Sequence, residues 1–341
     1  MPAPQPPSTS RPAFQQRAFS RRLNDFEDFH AVFGQWDGDF RQMSRGKFQG
    51  RILVADGQLA RVFQAEANQA VLTRGMDSTS YATFIPITAR NEGTRWQGRL
   101  LSRGQLIIKG PEVEYNNQTS RDFAIRSLLV PLANIRHAAR ILSGKEADGG
   151  ISSWAAIRPS QAAMGRFENT VATLLAWSMR EPGFLGSPRG YALESECLRR
   201  LIDVLSVPAS KESTPHHWAS RSHLVKRAVD LMHERLEQPL TALYLCAQLE
   251  VSDRVLRRAF RESFGLGPLA YFRVMRMHAV RTALRAASGG NDGVANIVRR
   301  WGFNRLGSFA DEYRRHFGEL PSETLGVRGQ PGVQRRVRAE L

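Results

Sequence analysis

Cysteine is nearly absent from this chain: Cys197 and Cys246 are the two among 341 residues, and they form no C-x-x-C pair. A disulfide framework is thereby excluded, and a chain of this length needs none. Each cysteine sits in a stretch of helical apolar periodicity, where it reads as a small buried hydrophobe. Also missing is any uninterrupted apolar run of about eighteen residues, the length a spanning helix requires. The opening residues MPAPQPPSTSRPAFQQRAFSRR hold prolines and arginines but no apolar segment of a signal peptide, so a cytoplasmic location and no membrane partner are expected. Histidine is scarce where a metal enzyme would need it. All eight (30, 137, 216, 217, 223, 233, 278 and 316) lie outside residues 38–136. The pair His216-His217 has no Cys, Asp or third His at ligand spacing, so no metal or other cofactor is expected.

Acidic residues are in deficit. Thirty-two Asp and Glu face forty-eight Lys and Arg, a net charge of +16, with arginine far outnumbering lysine. Such a balance favours polyanionic partners and speeds encounter with them. Arginine adds planar, bidentate donors that fit phosphates and guanine edges. Charge alone does not separate DNA from ribosomes or membrane surfaces; a motif has to do that.

The chain divides by texture. Residues 1–22 read as a flexible leader rich in Pro, Gln and Ser. Phe26, Phe29, Val32, Phe33 and Trp36 recur at helical spacing, predicting a short docking helix over 25–36. Residues 23–136 are β-rich: runs at 50–55 and 59–63 flank the hairpin signal Asp56-Gly57, and further runs follow at 82–87, 99–101, 106–109, 113–115 and 123–130. Strands at about ten-residue intervals suggest a barrel or sandwich. Over 137–205 the pattern turns helical, with one stripe of Met164, Phe167, Val171, Leu174 and Leu175 and a second of Leu198, Leu201, Ile202 and Leu205. This hairpin either packs on the β domain or also forms a homodimer face. A polar linker is expected over 206–222, continuous helices over 223–327, and a flexible basic tail over 328–341.

An internal repeat carries the functional argument. Leu256, Phe260, Phe264, Gly265 and Pro268 recur as Phe309, Tyr313, Phe317, Gly318 and Pro321, at an offset of 53. Each copy spaces its bulky apolar residues at i, i+4 and i+8, one buried stripe of a helix that stops at a glycine. Each is preceded by a shorter apolar-periodic helix, Leu240–Leu249 or Val294–Trp301, and a tight turn, here at an offset of 52. Ser252 is placed to cap the helix that follows it. Helix, tight turn, helix is the helix-turn-helix unit, and two are expected at about 240–264 and 293–317. Because the stripes are spent on packing, function belongs to the opposite faces. In the first unit that face presents Asp253, Arg254, Arg257, Arg258 and Arg261, within a segment (221–328) of eighteen Arg and Lys against eleven Asp and Glu. A second helix bearing four arginines fits a major-groove reader better than a merely solvated face.

The stretch Trp301-Gly-Phe-Asn-Arg-Leu-Gly-Ser-Phe-Ala-Asp-Glu-Tyr-Arg-Arg-His-Phe-Gly-Glu-Leu-Pro-Ser-Glu-Thr-Leu325 closely resembles the signature of the AraC/XylS transcription regulators, in particular the XylS- and ethanolamine-regulator-like branch. The resemblance covers about 100 residues, from Leu224 to Leu325. It implies a multidomain α+β chain: an N-terminal cupin-like β-barrel sensor, a helical hairpin, and a C-terminal all-α module of two helix-turn-helix units. It implies a sequence-specific transcription factor and no enzyme, a small-molecule-responsive activator of a catabolic or metabolic operon. Its partners would be double-stranded promoter DNA, RNA polymerase and an unidentified small effector. Arg254, Arg257 and Arg258 occupy the family's base-contacting positions, Ser252 and Asp253 lie at the start of the same helix, and Arg261 falls to a phosphate. In the second unit the DNA-facing set is Asn304, Arg305, Leu306, Ser308, Asp311, Arg314 and Arg315. Asp311 stands where the family often has a basic or amide group, so this helix is expected to read fewer bases, with Arg314 and Arg315 on phosphates. Two rivals are an architectural DNA-binding protein without ligand response and an alkyl-transfer repair protein, which would need a reactive cysteine. The cavity of the β domain is expected to be apolar, with Tyr81, Phe84, Trp96 and Tyr115 either lining it or forming plain core.

Overall fold

Alternation of inward and outward side chains builds two antiparallel sheets in the N-terminal part of the computed structural model, which describes residues 16–29, 37–76, 81–111, 113–143, 151, 154–206, 216–287 and 293–326. The strands are β1 (Arg17–Leu23), β2 (Asp37–Gln42), β3 (Gly50–Asp56), β4 (Arg61–Ala67), β5 (Val71–Met76), β6 (Tyr81–Pro86), β7 (Arg95–Trp96), β8 (Arg99–Leu100), β9 (Leu106–Lys109), β10 (Glu114–Gln118), β11 (Phe123–Pro131) and β12 (Trp154–Ile157). A seven-stranded sheet runs β1-β3-β4-β11-β6-β9-β12, and a five-stranded sheet runs β2-β5-β10-β7-β8. They face one another across an internal cavity, a cupin-like outline. Strand β11 shows why both faces of the larger sheet are covered. Phe123, Ile125, Ser127 and Leu129 point into the cavity, while Leu128 and Val130 point the other way into a second core.

That second core is capped by helices α1 (Leu132–Ser143), α2 (Gln161–Arg180) and α3 (Pro188–Ser206). The stripes at 164–175 and 198–205 supply its buried residues, Phe167 and Leu201 among them. Fully buried Glu194 on α3 ties the hairpin to the sheet: its carboxylate accepts the backbone N–H groups of Gln58 (3.1 Å), Leu59 (2.5 Å) and Ala60 (3.2 Å) in the β3–β4 turn. Burial raises its pKa, an effect these three donors only partly oppose. Seven more helices complete the chain: α4 (His216–Glu234), α5 (Ala242–Leu249), α6 (Asp253–Phe264), α7 (Pro268–Ala286), α8 (Val294–Arg300), α9 (Leu306–Phe317) and α10 (Pro321–Gly326).

Three sequence expectations need correction. The flexible leader expected over 1–22 does not include 17–22, because Arg17 to Leu23 pair along β3, from Arg17 opposite Asp56 to Leu23 opposite Gly50; residues 1–15 lie outside the described set. This partner lies some thirty residues away, beyond the reach of local pattern. The linker over 206–222 is cut short by α4, which already begins at His216. The helical region starts at Leu132 rather than 137, directly after β11. The docking helix over 25–36 is only partly described. Phe26 and Phe29 are buried in the core shared with the C-terminal helices, and residues 30–36 lie outside the described set, as does the tail from 327 on.

Candidate nucleic-acid interface

Two helix pairs of like design make up the C-terminal part. In the first, α5 is capped by Thr241, whose hydroxyl accepts from the Tyr244 N–H at 3.1 Å, and ends at Glu250 in a left-handed conformation (φ 55°). Ser252 then caps α6, accepting from the Val255 N–H at 3.4 Å, as its position predicts. Leu256, Phe260 and Phe264 are buried along one side of α6, each contributing about 1.5–3 kcal/mol of transfer free energy. The second pair, α8 and α9, buries Phe309, Tyr313 and Phe317 in the matching places. Its turn uses Gly302 at φ 79°, where a Cβ would stand 2.8 Å from the Arg276 guanidinium. Both second helices end on left-handed glycines, Gly265 (φ 71°) and Gly318 (φ 75°), whose N–H groups donate to the carbonyls of Arg261 and Arg314. Helix α7 connects the two pairs.

The opposite faces carry the residues singled out from sequence. On α6 and its cap, Ser252, Asp253, Arg254, Arg257, Arg258 and Arg261 are all exposed. Arg257 lies 2.5 Å from Asp253, and Arg258 lies 2.8 Å from Glu262. Solvent screens these exposed i,i+4 pairs, so they hold the two arginines only weakly. Arg254 and Arg261 have no ion pair among the described residues. On α9 and its approach, Asn304, Arg305, Ser308, Asp311, Arg314 and Arg315 are exposed, whereas Leu306 is partly buried against the core. Glu312, next to Asp311, is turned aside: it pairs with Arg273 of α7, whose hydrogen bonds hold its pKa below the usual range. Arg273, which no local pattern marks, thereby removes one anion from the second face.

Sequence reasoning missed how tightly this module is gripped from behind. At one edge of the five-stranded sheet, the Gln42 carbonyl of β2 accepts from Nε2 of His278 on α7 (2.9 Å) and from Nε2 of His316 on α9 (3.1 Å). The Gln42 amide donates in return to the His316 carbonyl at 2.6 Å. Burial pushes both imidazoles down, His316 to about 4, so both are neutral. At the other edge, Arg95 of β7 donates to the Glu262 carbonyl near the end of α6 (3.0 Å), and the Gln97 carbonyl accepts from Ser222 (3.1 Å). Lys226 pairs with Glu114 of β10 at 2.6 Å. One sheet thus holds the C-terminal ends of both second helices. Beside it, Asp25 binds Arg281 and Arg285 of α7, and the Arg281 guanidinium also lies 5.0 Å from the rings of Phe26 and Phe317. Burial alone would raise the Asp25 pKa, but the Arg281 hydrogen bond and charge, then Arg285, bring it down to about 2.

The inner face of that same sheet walls the cavity, of about 150 Å³, through Phe40, Val71, Thr73, Trp96, Tyr115 and Asn117. Trp96 and Tyr115, named from sequence as candidate lining, do line it; Phe84 belongs instead to the core under the helical hairpin. The cysteines are poor nucleophiles. Burial pushes the Cys197 thiol up to about 12, with Glu194 and Glu196 adding to the shift, and Cys246 is raised as well. Among the described residues no group of His, Cys, Asp and Glu could hold a metal, and no helix is long and apolar enough to cross a membrane.

Paired helix-turn-helix units with arginines outward, docked on a β-rich domain, make up a DNA-binding module of the two-unit class. A family model described as a helix-turn-helix domain matches residues 245–326. The "Probable thc operon regulatory protein" of Rhodococcus erythropolis is 38% identical over 102 residues, 30% of this chain and 31% of that one. The "XylDLEGF operon transcriptional activator" of Pseudomonas putida is 29% identical over 126 residues, 37% of this chain and 38% of that one. A solved structure of "a probable AraC family transcriptional regulator" from Rhodopseudomonas palustris is 31% identical, covering 30% of this chain and 94% of that chain, at a TM-score of 0.29. Residues 245–326 thus carry a helix-turn-helix domain of the AraC/XylS type. The chain spans only about a third of the length of the curated relatives it matches.

Proposed function

We propose that this protein is a sequence-specific, DNA-binding transcription regulator that responds to a small organic effector, an activator of a catabolic or metabolic operon. The observation that carries the reading is the pair of arginine-faced second helices, both held at their far ends by the sheet that walls an internal cavity. Helices α6 and α9 enter neighbouring major-groove segments on one face of the duplex, about one turn apart. Arg254, Arg257 and Arg258 read base edges, and Arg261 fixes register on a phosphate. The second helix contributes less direct readout. Asp311 is unfavourable beside phosphates except where it accepts from a cytosine amine, and Arg314 and Arg315 serve the backbone. Effector in the cavity alters the five-stranded sheet and, through Gln42 and Arg95, the relative placement of the two readers. RNA polymerase is the downstream partner, and the exposed Trp177 and Tyr191 of the helical hairpin favour a homodimer face there.

Binding of the full chain to its own upstream region, followed by fluorescence anisotropy across a salt series, tests this reading. Arg314→Ala is expected to weaken all duplexes alike and to reduce the salt slope by about one. Equal affinity for upstream and scrambled duplexes at every salt concentration would contradict sequence-specific regulation.

A further inference from the structure

A second cavity, of about 200 Å³, lies on the opposite face of the larger sheet, where β4, β11 and the end of β6 meet helix α2. Its base is apolar: Leu128 and Phe167 are fully buried, and Pro86 and Val171 lie beside them. Over that base stand two side chains of opposite charge, Arg126 of β11 and Glu168 of α2, both half-buried. Burial pushes the Arg126 pKa down and the Glu168 pKa up, and the attraction between them opposes both shifts. Among the described residues, however, the two close no ion pair with one another, and the Glu168 carboxylate accepts no hydrogen bond.

Arg126 is fixed from the sheet. Its Nε donates at 2.8 Å to Oε1 of Gln64, the residue opposite it on β4, and the Gln64 amide donates in turn to Glu66 at 2.5 Å. That relay leaves the two Nη groups without a partner among the described residues. Arg90, exposed at the rim, lies 3.9 Å from Glu66. A charge drawn out of water is costly unless a partner meets it. A simple carboxylate would satisfy Arg126 and be repelled by Glu168; a simple amine would do the reverse. A zwitterion answers both, its carboxylate taking the guanidinium fork and its ammonium meeting Glu168. A gap too wide for a direct ion pair is one that the two charged groups on a single α-carbon can bridge, and the apolar base then receives the side chain.

We propose that this cleft binds a small apolar α-amino acid, its carboxylate on Arg126, its ammonium on Glu168 and its side chain against Phe167 and Leu128. The site lies outside the cavity between the sheets and goes beyond the effector reading, so either can fail without the other. Three probes that share one branched side chain separate the contributions: L-leucine, isocaproate (which lacks the amine) and isoamylamine (which lacks the carboxylate), titrated calorimetrically into the full chain. Leucine should bind about tenfold or more tighter than either fragment. Glu168→Gln should erase its advantage over isocaproate, and Arg126→Gln its advantage over isoamylamine, while Arg126→Lys should retain part of the latter. Thermal unfolding of each free variant guards against a cleft that has merely collapsed. Either fragment binding as tightly as leucine, leucine affinity unchanged in both charge-removing variants, or no leucine bound to the natively folded chain overturns the proposal.

Discussion

Asp25 is where a single substitution should most clearly loosen the grip of the N-terminal domain on the DNA-binding module. Its carboxylate binds Arg281 and Arg285, and the Arg281 side chain is 5% exposed. The Asp25 pKa falls from 3.8 to about 2 on folding, which at about 1.36 kcal/mol per unit corresponds to about 2 kcal/mol at neutral pH. A depressed carboxylate stabilises the fold above its unfolded pKa, and that stability is lost as pH falls through the folded value. The window therefore runs from about pH 4 down to about pH 2, with about half gone at pH 3. Orphaning a buried arginine costs about 3–5 kcal/mol in general, but Arg281 keeps Glu319 at 3.0 Å and Glu27 at 3.8 Å. Asp25→Asn is accordingly expected to cost about 2–3 kcal/mol at pH 7, read from urea denaturation of the full chain. The gap to the wild type should shrink as the pH is lowered from 4 to 2. A difference below about 0.5 kcal/mol at pH 7, or one that is constant down to pH 2, would refute the latch.

His316 gives an acid response in a different window. Its imidazole, held neutral by burial at a pKa of about 4 against an ordinary 6.5, should make the wild type lose stability as pH falls from about 6.5 to 4, and His316→Gln should flatten that slope in the same titration. Glu194→Ala should cost about 2 kcal/mol or more in thermal unfolding, since it strands three backbone donors of the β3–β4 turn, while Glu194→Gln, which keeps one acceptor oxygen, should cost less. Phe260→Ala removes a fully buried ring from the first unit and should destabilise the module by about 3–5 kcal/mol, with its wild-type counterpart in the second unit, Tyr313, behaving alike.

The helix-turn-helix pairs were legible because their signals are local: an i, i+4, i+8 stripe, a cap at Ser252 and glycines at both helix ends all act within a few residues. The β-rich texture was legible too, and the Asp56-Gly57 hairpin stands where the turn chemistry places it, between β3 and β4. What escaped is long-range. Strand β1 finds its partner across a loop, and β12 pairs with β9 from beyond a helix. The clasp on the module depends on Gln42, His278 and His316, three residues that no motif connects and whose hydrogen bonds span more than 230 positions. No motif marks Arg281 and Arg285 on the connecting helix; only the fold brings Asp25 to them. The outward arginines were readable as a face, but not their pairing with Asp253 and Glu262, which sets the modest cost of freeing them.

The central claim is that the arginine-dense helix α6 reads more of the sequence than α9 does. Selection of binding sites from a randomised duplex library, run side by side for the wild type and Arg257→Ala at one salt concentration, tests it most directly. The expected result is two preferred segments about one helical turn apart, the more strongly specified one losing a single guanine preference in the Arg257→Ala selection while the other is unchanged. An Arg257→Ala selection identical to that of the wild type, or a preference confined to the segment facing α9, would contradict the account.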